Sequence, residues 1–140
     1  MASTLSLPNA KIWTLLAVDD EPDFLHLTQD LLAGHPRIRV ASLASSGEEA
    51  LDRLPRLNAN AVLMDVNMPG LSGFDVARRI ARSYPWLRVL LMTAEGGSNL
   101  ESSAREVGAI GCLFKADLRA ERVLDLLDQH WSESKIARRA

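Results

Sequence analysis

The sequence has one cysteine and no long apolar run, and each of these shortages excludes a class of protein. With Cys112 as the single cysteine, an internal disulfide and a cysteine-based zinc site are excluded, and a reducing compartment is favoured. No apolar stretch approaches the roughly 20 residues that a bilayer-spanning helix needs. Residues 1–9 lack the basic region followed by an apolar region that marks a secretory signal. We therefore expect a cytoplasmic protein without a membrane-spanning segment.

An excess of positive charge is also missing. The formal net charge is −2, whereas proteins that bind nucleic acid through its phosphates carry clustered Lys and Arg. We therefore expect no direct nucleic acid binding. Hydrophobic residues make up 47% of the 140 residues, which is enough for one ordinary core and leaves little for a second. We predict one domain over residues 12–131, with an N-terminal tail at 1–11 and a C-terminal tail at 132–140.

Short apolar runs alternate along the chain with stretches in which apolar residues have helical spacing. The runs, which we interpret as strands, are residues 14–18, 37–41, 61–64, 89–92 and 110–114. Ser46 and Glu49 have the spacing of a capping box at the start of one helix, and Asp117 can cap the last helix. Because strands with few polar residues alternate with helices, the pattern predicts a parallel sheet covered by helices on both faces.

Polar side chains follow four of the five predicted strands. Asp19 and Asp20 follow the first strand, Asp65 the third, Thr93 the fourth and Lys115 the fifth. In an open parallel sheet, ligands bind outside the carboxyl ends of the strands, where the strand order reverses. This architecture therefore predicts that three carboxylates, a hydroxyl and an ammonium group share one crevice.

The chemistry of such a crevice follows from its charges. Carboxylates drawn together repel one another unless a cation lies between them. Oxygen ligands without His or Cys favour a hard cation, and Mg²⁺ typically binds one or two carboxylates together with a substrate phosphate. A lysine nearby supplies a compact positive charge for a phosphoryl oxygen. The set therefore indicates phosphoryl transfer with a carboxylate as the nucleophile.

The segments around these positions resemble the four sequence signatures of response regulator receiver domains, the phosphorylated domains of two-component signal transduction. They read LAVDDEP at 16–22, VLMDVNMPGLSG at 62–73, LMTA at 91–94 and LFK at 113–115. They occur in the order and spacing of that family, over about residues 13–131. The resemblance implies a flavodoxin-like, doubly wound α/β fold with five parallel strands and five helices.

The resemblance also implies a role for each acidic residue of the crevice. Asp65 matches the aspartate that accepts a phosphoryl group from a phosphohistidine. Asp20 matches the main acidic ligand of Mg²⁺, and Asp19 assists it through water. Asp65 itself and the backbone carbonyl of Asn67 complete the protein ligands, so Mg²⁺ is the implied cofactor.

Other residues are implied to transmit or time the signal. Lys115 would pair with the acceptor aspartate at rest and with the phosphoryl group afterwards. Thr93 would turn toward a phosphoryl oxygen. Asn67 and Glu95 occupy two positions at the mouth of the site that influence the dephosphorylation rate in this family, and Ala94 leaves room beside the site.

Two positions depart from the family pattern. Cys112 stands three positions before the lysine, where the family usually has an aromatic residue coupled to the threonine, and a small thiol cannot sweep between two pockets as a ring does. We expect inert packing for this thiol rather than redox sensing. Ala116 follows the lysine, where the family commonly has a proline after a cis bond. Since a cis bond before a non-proline residue costs about 2.5–4 kcal/mol, we predict a trans bond and an altered loop.

The implied function is a signalling switch rather than an enzyme with an external product. The implied partners are a sensor histidine kinase or a phosphotransfer protein. A second copy of the chain is a further candidate partner, through the face formed by the fourth helix, fifth strand and fifth helix. The sequence does not identify the kinase or the output.

Two other functions stay open at this point. A pseudo-receiver would keep the fold as a binding module that works without phosphorylation, and the complete acidic set argues against it. A Mg²⁺-dependent phosphotransferase of another α/β family would need an acid–base group, such as a second aspartate two residues after Asp65, where Asn67 stands. Taken alone, Asp19 and Asp20 could simply cap the first helix.

Overall fold

Residues 11–96 and 99–139 are described by the structure, a computed structural model. In chain order the strands and helices are β1 Trp13–Val18, α1 Pro22–Ala33, β2 Ile38–Ala44, α2 Gly47–Arg53, β3 Ala61–Asp65, α3 Gly73–Ser83, β4 Arg88–Thr93, α4 Leu100–Glu106, β5 Gly111–Phe114 and α5 Ala120–Arg139. All neighbouring strands are parallel, in the order β2-β1-β3-β4-β5. The prediction of a doubly wound, five-stranded α/β fold is confirmed.

The core forms two layers, one on each face of the sheet. Every residue of the central strands β3 and β4 is buried, because helices cover both faces. One cluster packs the sheet against α2, α3 and α4, and the other packs it against α1 and α5. Within the described ranges, no helix is both long and apolar enough to cross a membrane.

Two serines fix the starts of α2 and α3. Ser46 caps α2 by accepting the N–H of Glu49 at 3.0 Å, as its spacing predicts. The returning Glu49 carboxylate accepts the N–H of Ser45 rather than that of Ser46, so the predicted capping box is only half formed. A complete capping box occurs instead at α3, between Ser72 and Asp75.

The ends of two predicted elements, the second strand and the last helix, differ in the structure. β2 continues to Ala44, because a bulge opposite Leu15 and Leu16 absorbs Ala41 and the pairing with β1 then resumes. Asp117 does not cap the last helix. It lies in a 3₁₀ turn closed by the Leu118 N–H on the Lys115 carbonyl, and α5 begins at Ala120.

The domain boundaries stay predictions. The helix α5 runs to Arg139, past residue 131, where the sequence suggests the start of a tail. Residues 1–10 lie outside the described residues, and so does the side chain of Trp131, which the sequence suggests faces inward.

A polar network joins β1, the start of β2 and α5 at the end of the sheet away from the strand termini that carry the acidic residues. The carboxylate of Asp128 in α5 accepts a hydrogen bond from Nε1 of Trp13 at 2.9 Å. The guanidinium of Arg37 donates two further hydrogen bonds of 2.7 Å to the same carboxylate. The indole of Trp13 is 1% exposed, so its N–H has no easy access to water. The network therefore fixes α5 against the sheet.

We predict that Asp128→Ala lowers the free energy of unfolding by about 1–3 kcal/mol, because it leaves a buried indole N–H and a guanidinium without their acceptor. Urea unfolding followed by fluorescence measures this change. Asp125→Ala, an exposed acidic residue of the same helix, is the control and should change stability by less than about 0.5 kcal/mol. Equal effects of the two substitutions would contradict the assignment.

Candidate functional site

The strand order brings three carboxylates together at the carboxyl edge of the sheet. β1 and β3 are neighbours, and the chain turns to opposite sides of the sheet after each of them. Asp19 and Asp20 directly follow β1, and Asp65 is the last residue of β3. Ligand oxygens of the three residues lie within 4.8 Å of one another. The clustering that the strand pattern predicts is therefore present.

Asp19 is the most buried of the three acids. Its side chain has no exposed surface, and its Oδ1 accepts the N–H of Glu21 at 2.9 Å. Its Oδ2 lies 2.7 Å from Nζ of Lys115 in a buried ion pair. The ammonium of Lys115 is thus the partner of this buried carboxylate oxygen.

Lys115 is the cationic centre of the cluster. Its Nζ lies 3.6 Å from Oδ1 of Asp65 and 3.1 Å from Oε1 of Glu21, in addition to its contact with Asp19. The same ammonium lies 4.4 Å from the ring centroid of Phe24, a cation–π distance. Burial opposes its charged form, but these carboxylates together raise the pKa of Lys115 above its ordinary value.

Asp65 is 4% exposed and lies where its negative charge is unfavourable. Burial first, and then the carboxylates of Asp19 and Asp20, raise its pKa to about 6, against the opposing effects of the Lys115 ammonium and the Asn67 N–H. The folded protein therefore holds a carboxylate that a further cation would stabilise.

The donor set fits Mg²⁺. Three carboxylates from two neighbouring strand ends supply the hard oxygen ligands that Mg²⁺ prefers. Burial first, and then the neighbouring carboxylates, raise the pKa of Asp65, so a bound cation would favour its ionised form. The contribution of the Asn67 carbonyl stays a prediction, since Asn67 is known here only as an exposed residue whose N–H favours the charged form of Asp65.

The backbone after Asp65 passes very close to the start of α3. A Cβ at Gly73 would overlap the carbonyl oxygen of Asp65 and lie 2.9 Å from Cα of Val66. The N–H of Gly73 donates to the Val66 carbonyl at 2.9 Å, which closes the loop between β3 and α3. Glycine is therefore required at residue 73, where it lets α3 start directly against the end of β3.

Thr93 ends β4 beside the acidic cluster and holds the loop that follows. Its hydroxyl is buried, donates to the carbonyl oxygen of Glu95 at 2.8 Å and accepts the Glu95 N–H at 3.3 Å. Ala94 and the Glu95 side chain are exposed. In this state the threonine hydroxyl is thus engaged with its own loop, and its turning toward a phosphoryl group stays a prediction.

The thiol of Cys112 is half-buried on β5 and packs against the core layer that includes α4. Burial, and next the nearby Glu101 carboxylate, raise its pKa to about 11, so the thiolate is disfavoured, in keeping with the prediction of inert packing. The bond between Lys115 and Ala116 is trans, as predicted, since no cis peptide bond occurs in the described residues.

Two residues of the site were not identified from the sequence. Glu21 and Phe24 both contact the ammonium of Lys115, from the start of α1. Glu21 stands next to the acidic pair in the sequence, which could have identified it. Phe24 has helical spacing, which indicated a core residue, and only the fold reveals its contact with a lysine distant in sequence.

The comparison with protein families decides the family. The family model of the response regulator receiver domain matches residues 15–127 of this chain. This chain belongs to the response regulator receiver domain family. It is therefore a receiver domain of the kind used in two-component systems.

Curated relatives and solved structures agree with this assignment. The receiver domain is 35% identical over 133 residues to a protein-glutamate methylesterase/protein-glutamine glutaminase of Syntrophus aciditrophicus, covering 89% of this chain and 38% of that protein. It is 33% identical to the response regulator GacA of Pseudomonas viridiflava, covering 78% of this chain and 51% of the relative. The signal receiver domain of a NarL response regulator from Mycobacterium tuberculosis superposes with a TM-score of 0.74 at 30% identity, covering 82% of this chain and 95% of that one. The chain thus spans about two fifths to one half of these curated relatives.

We predict that Asp65→Asn stabilises the Mg²⁺-free protein at pH 8. A carboxyl whose folded pKa is raised from 3.8 to about 6 destabilises the folded state when it is ionised, above pH 6, and this cost disappears as the pH falls below the unfolded value. The free energy of unfolding should therefore rise by about 1–3 kcal/mol at pH 8. At pH 4 and below, the gain should shrink toward zero.

Thermal or urea unfolding with EDTA at both pH values measures this difference. Asp125→Asn, which removes an exposed carboxylate of α5, is the control and should give no comparable gain. A loss of stability at pH 8 on Asp65→Asn would show that Asp65 is not held in an unfavourable charge environment.

Proposed function

We propose that this receiver domain is a phosphorylation-controlled switch. The carboxylate of Asp65 accepts a phosphoryl group from a histidine kinase or a phosphotransfer protein, in a reaction that needs Mg²⁺. The strongest support is the clustering of three carboxylates within 4.8 Å of one another, at the point between β1 and β3 where the strand order reverses. In addition, Nζ of Lys115 lies 3.6 Å from the Asp65 carboxylate.

In the proposed reaction an oxygen of the Asp65 carboxylate attacks the phosphorus of a phosphohistidine. The new phosphorus–oxygen bond forms as the phosphorus–nitrogen bond breaks, and the electron pair of that bond stays on the imidazole nitrogen. The acyl phosphate so formed is later hydrolysed by water. Asp65 must be ionised to attack, which the raised pKa makes more difficult and a bound cation would make easier.

Asp19, Asp20 and Asp65 would hold Mg²⁺, with the Asn67 carbonyl as a further ligand. When bound, the ion would offset the negative charge that gathers on the transferred phosphoryl oxygens.

Lys115 would neutralise the second side of the transferred group. Its Nζ already lies near Asp19, Glu21 and Asp65, so a small shift would bring it to an oxygen of the phosphoryl group on Asp65. Thr93 would give up its bonds to Glu95 and donate to the phosphoryl group instead. Asn67, Ala94 and Glu95 would set the access of water and so the lifetime of the phosphoryl group.

The output and the partners are proposed at a coarser level. The kinase or phosphotransfer protein would act as the donor, and a second copy of the chain could bind through the face formed by α4, β5 and α5. The relatives are longer and include both a methylesterase and a response regulator, so the receiver domain alone does not define the activity that the switch controls. We propose that this domain itself acts as a cytoplasmic switch and has no external product.

We predict that incubation with acetyl phosphate or phosphoramidate plus Mg²⁺ adds about 80 Da to the intact mass, the gain of one phosphoryl group. EDTA should abolish the gain, and Asp65→Asn should abolish it as well. Lys115→Ala should slow it, because one of the two charges that balance the transition state is lost.

Asp125→Asn is the matched control and should be phosphorylated like the parent protein. The assigned mechanism is overturned by a mass gain that survives Asp65→Asn. It is equally overturned by an unmodified mass under conditions in which the fold is intact, which is the result expected of a pseudo-receiver.

A further inference from the structure

Phe114 is a large aromatic residue at an exposed edge of the phosphorylation site. It ends β5, which is an edge strand of the sheet, and its side chain is 44% exposed. Along a strand, alternate side chains share a face. Phe114 therefore lies on the same face as the small Cys112, which packs against the core layer that includes α4.

The ring of Phe114 packs directly on the loop that follows β4. A Cβ placed at Gly96 would lie 2.6 Å from Cε1 and 2.8 Å from Cζ of the ring, which is closer than real side chains approach. The backbone at Gly96 does not have a positive φ, unlike that of Gly70 and Gly108, so its conformation suits any residue. A side chain at residue 96 would therefore push the end of the Phe114 ring away from the loop, whereas the backbone there would not be strained.

The same loop is held at its other end by the hydroxyl of Thr93. That hydroxyl exchanges two hydrogen bonds with the backbone of Glu95, the residue before Gly96. Thr93 and Phe114 are also register partners in the β4–β5 pairing. The threonine hydroxyl and the ring thus hold a loop segment of three residues, 94–96, between them.

This arrangement couples the two side chains mechanically. If Thr93 rotates toward another acceptor, Glu95 loses both bonds and its backbone is free to shift. Gly96 then moves with it, and the ring of Phe114 loses the surface on which it packs. Because the ring is partly exposed, a shift of this kind changes the outer surface of the domain directly.

We propose that Phe114 is the positioning residue through which the state of Thr93 reaches the exposed edge at β5. The proposal rests on the proposed phosphorylation of Asp65. It assigns to Phe114 a role that the small side chain of Cys112, two residues earlier on the same face, cannot perform.

The chain contains three phenylalanines, so labelling with 4-fluorophenylalanine gives three ¹⁹F resonances that single Phe→Leu variants assign. Phe24 serves as an internal reference, because its ring lies 4.4 Å from Nζ of Lys115 and senses charge at the site. Intact mass on the same sample reports the phosphorylated fraction. We expect both the Phe24 and the Phe114 resonances to shift on treatment with phosphoramidate and Mg²⁺.

Gly96→Ala is the decisive variant. Its methyl group should displace the flexible end of the ring into solvent, so the Phe114 resonance should lie elsewhere before phosphorylation and no longer shift afterwards, while the Phe24 shift is kept. Gly34→Ala is the matched control, since a Cβ there meets nothing within 4 Å, and it should keep both shifts. In the phosphorylated fraction of Thr93→Val, which lacks the hydroxyl, the Phe114 shift should also be lost.

The outcomes separate this proposal from the one on which it rests. A mass gain with an unmoved Phe114 resonance in the parent protein overturns the coupling and leaves the phosphorylation standing. So does a Phe114 shift that persists unchanged in Gly96→Ala and Thr93→Val, because the ring would then be sensing charge alone. The absence of a mass gain overturns both proposals.

Discussion

The repulsion among three carboxylates at the ends of two buried strands is the constraint on which the site depends. Asp19 and Asp65 are almost fully removed from water, and among the described residues the ammonium of Lys115 is the positive charge that pairs with both of them. Burial, followed by the carboxylate of Asp19, outweighs the effect of that ammonium and raises the pKa of Asp65 to about 6. A cation would offset this negative charge, which is the basis of the Mg²⁺ binding and phosphoryl transfer that we propose for the site.

The rest of the fold holds this unfavourable cluster in place. The buried strands fix where each acid emerges, and Gly73 lets α3 approach the backbone of Asp65. The Ser72–Asp75 capping box then sets the start of that helix. At the opposite end of the sheet, the Asp128 network fixes α5. Stability gained in these places allows the strand ends to keep charges that would otherwise separate or protonate.

Much of this could be predicted from the sequence, because strand ends and helix starts leave local patterns. The apolar runs gave the five strands, and the polar residues after them gave the acidic cluster and Lys115. The extent of β2 could not be predicted, because a bulge at Ala41 lets the pairing resume at the polar Ser42 and continue to Ala44. The full length of α5 was also missed, since its last turns lack the apolar spacing on which the prediction relied.

Side-chain contacts between distant elements were the least predictable part. The helical spacing of Phe24 indicated a core position, and nothing local shows that its ring meets the ammonium of Lys115. The same holds for Phe114 and Gly96, which meet because β5 lies beside β4. Likewise, the position of Thr93 at a strand end follows from sequence, but its bonds to Glu95 depend on the loop conformation.

The most direct test of this account is the titration of the Asp65 carboxyl carbon, followed by ¹³C NMR and assigned with Asp65→Asn. In Mg²⁺-free protein the account predicts a midpoint near pH 6, set by burial and by the carboxylate of Asp19. Saturating Mg²⁺ should lower that midpoint, because the cation favours the ionised form. A midpoint near the ordinary value of 3.8 in the metal-free protein, unmoved by Mg²⁺, would contradict the central claim that Asp65 belongs to an uncompensated acidic cluster.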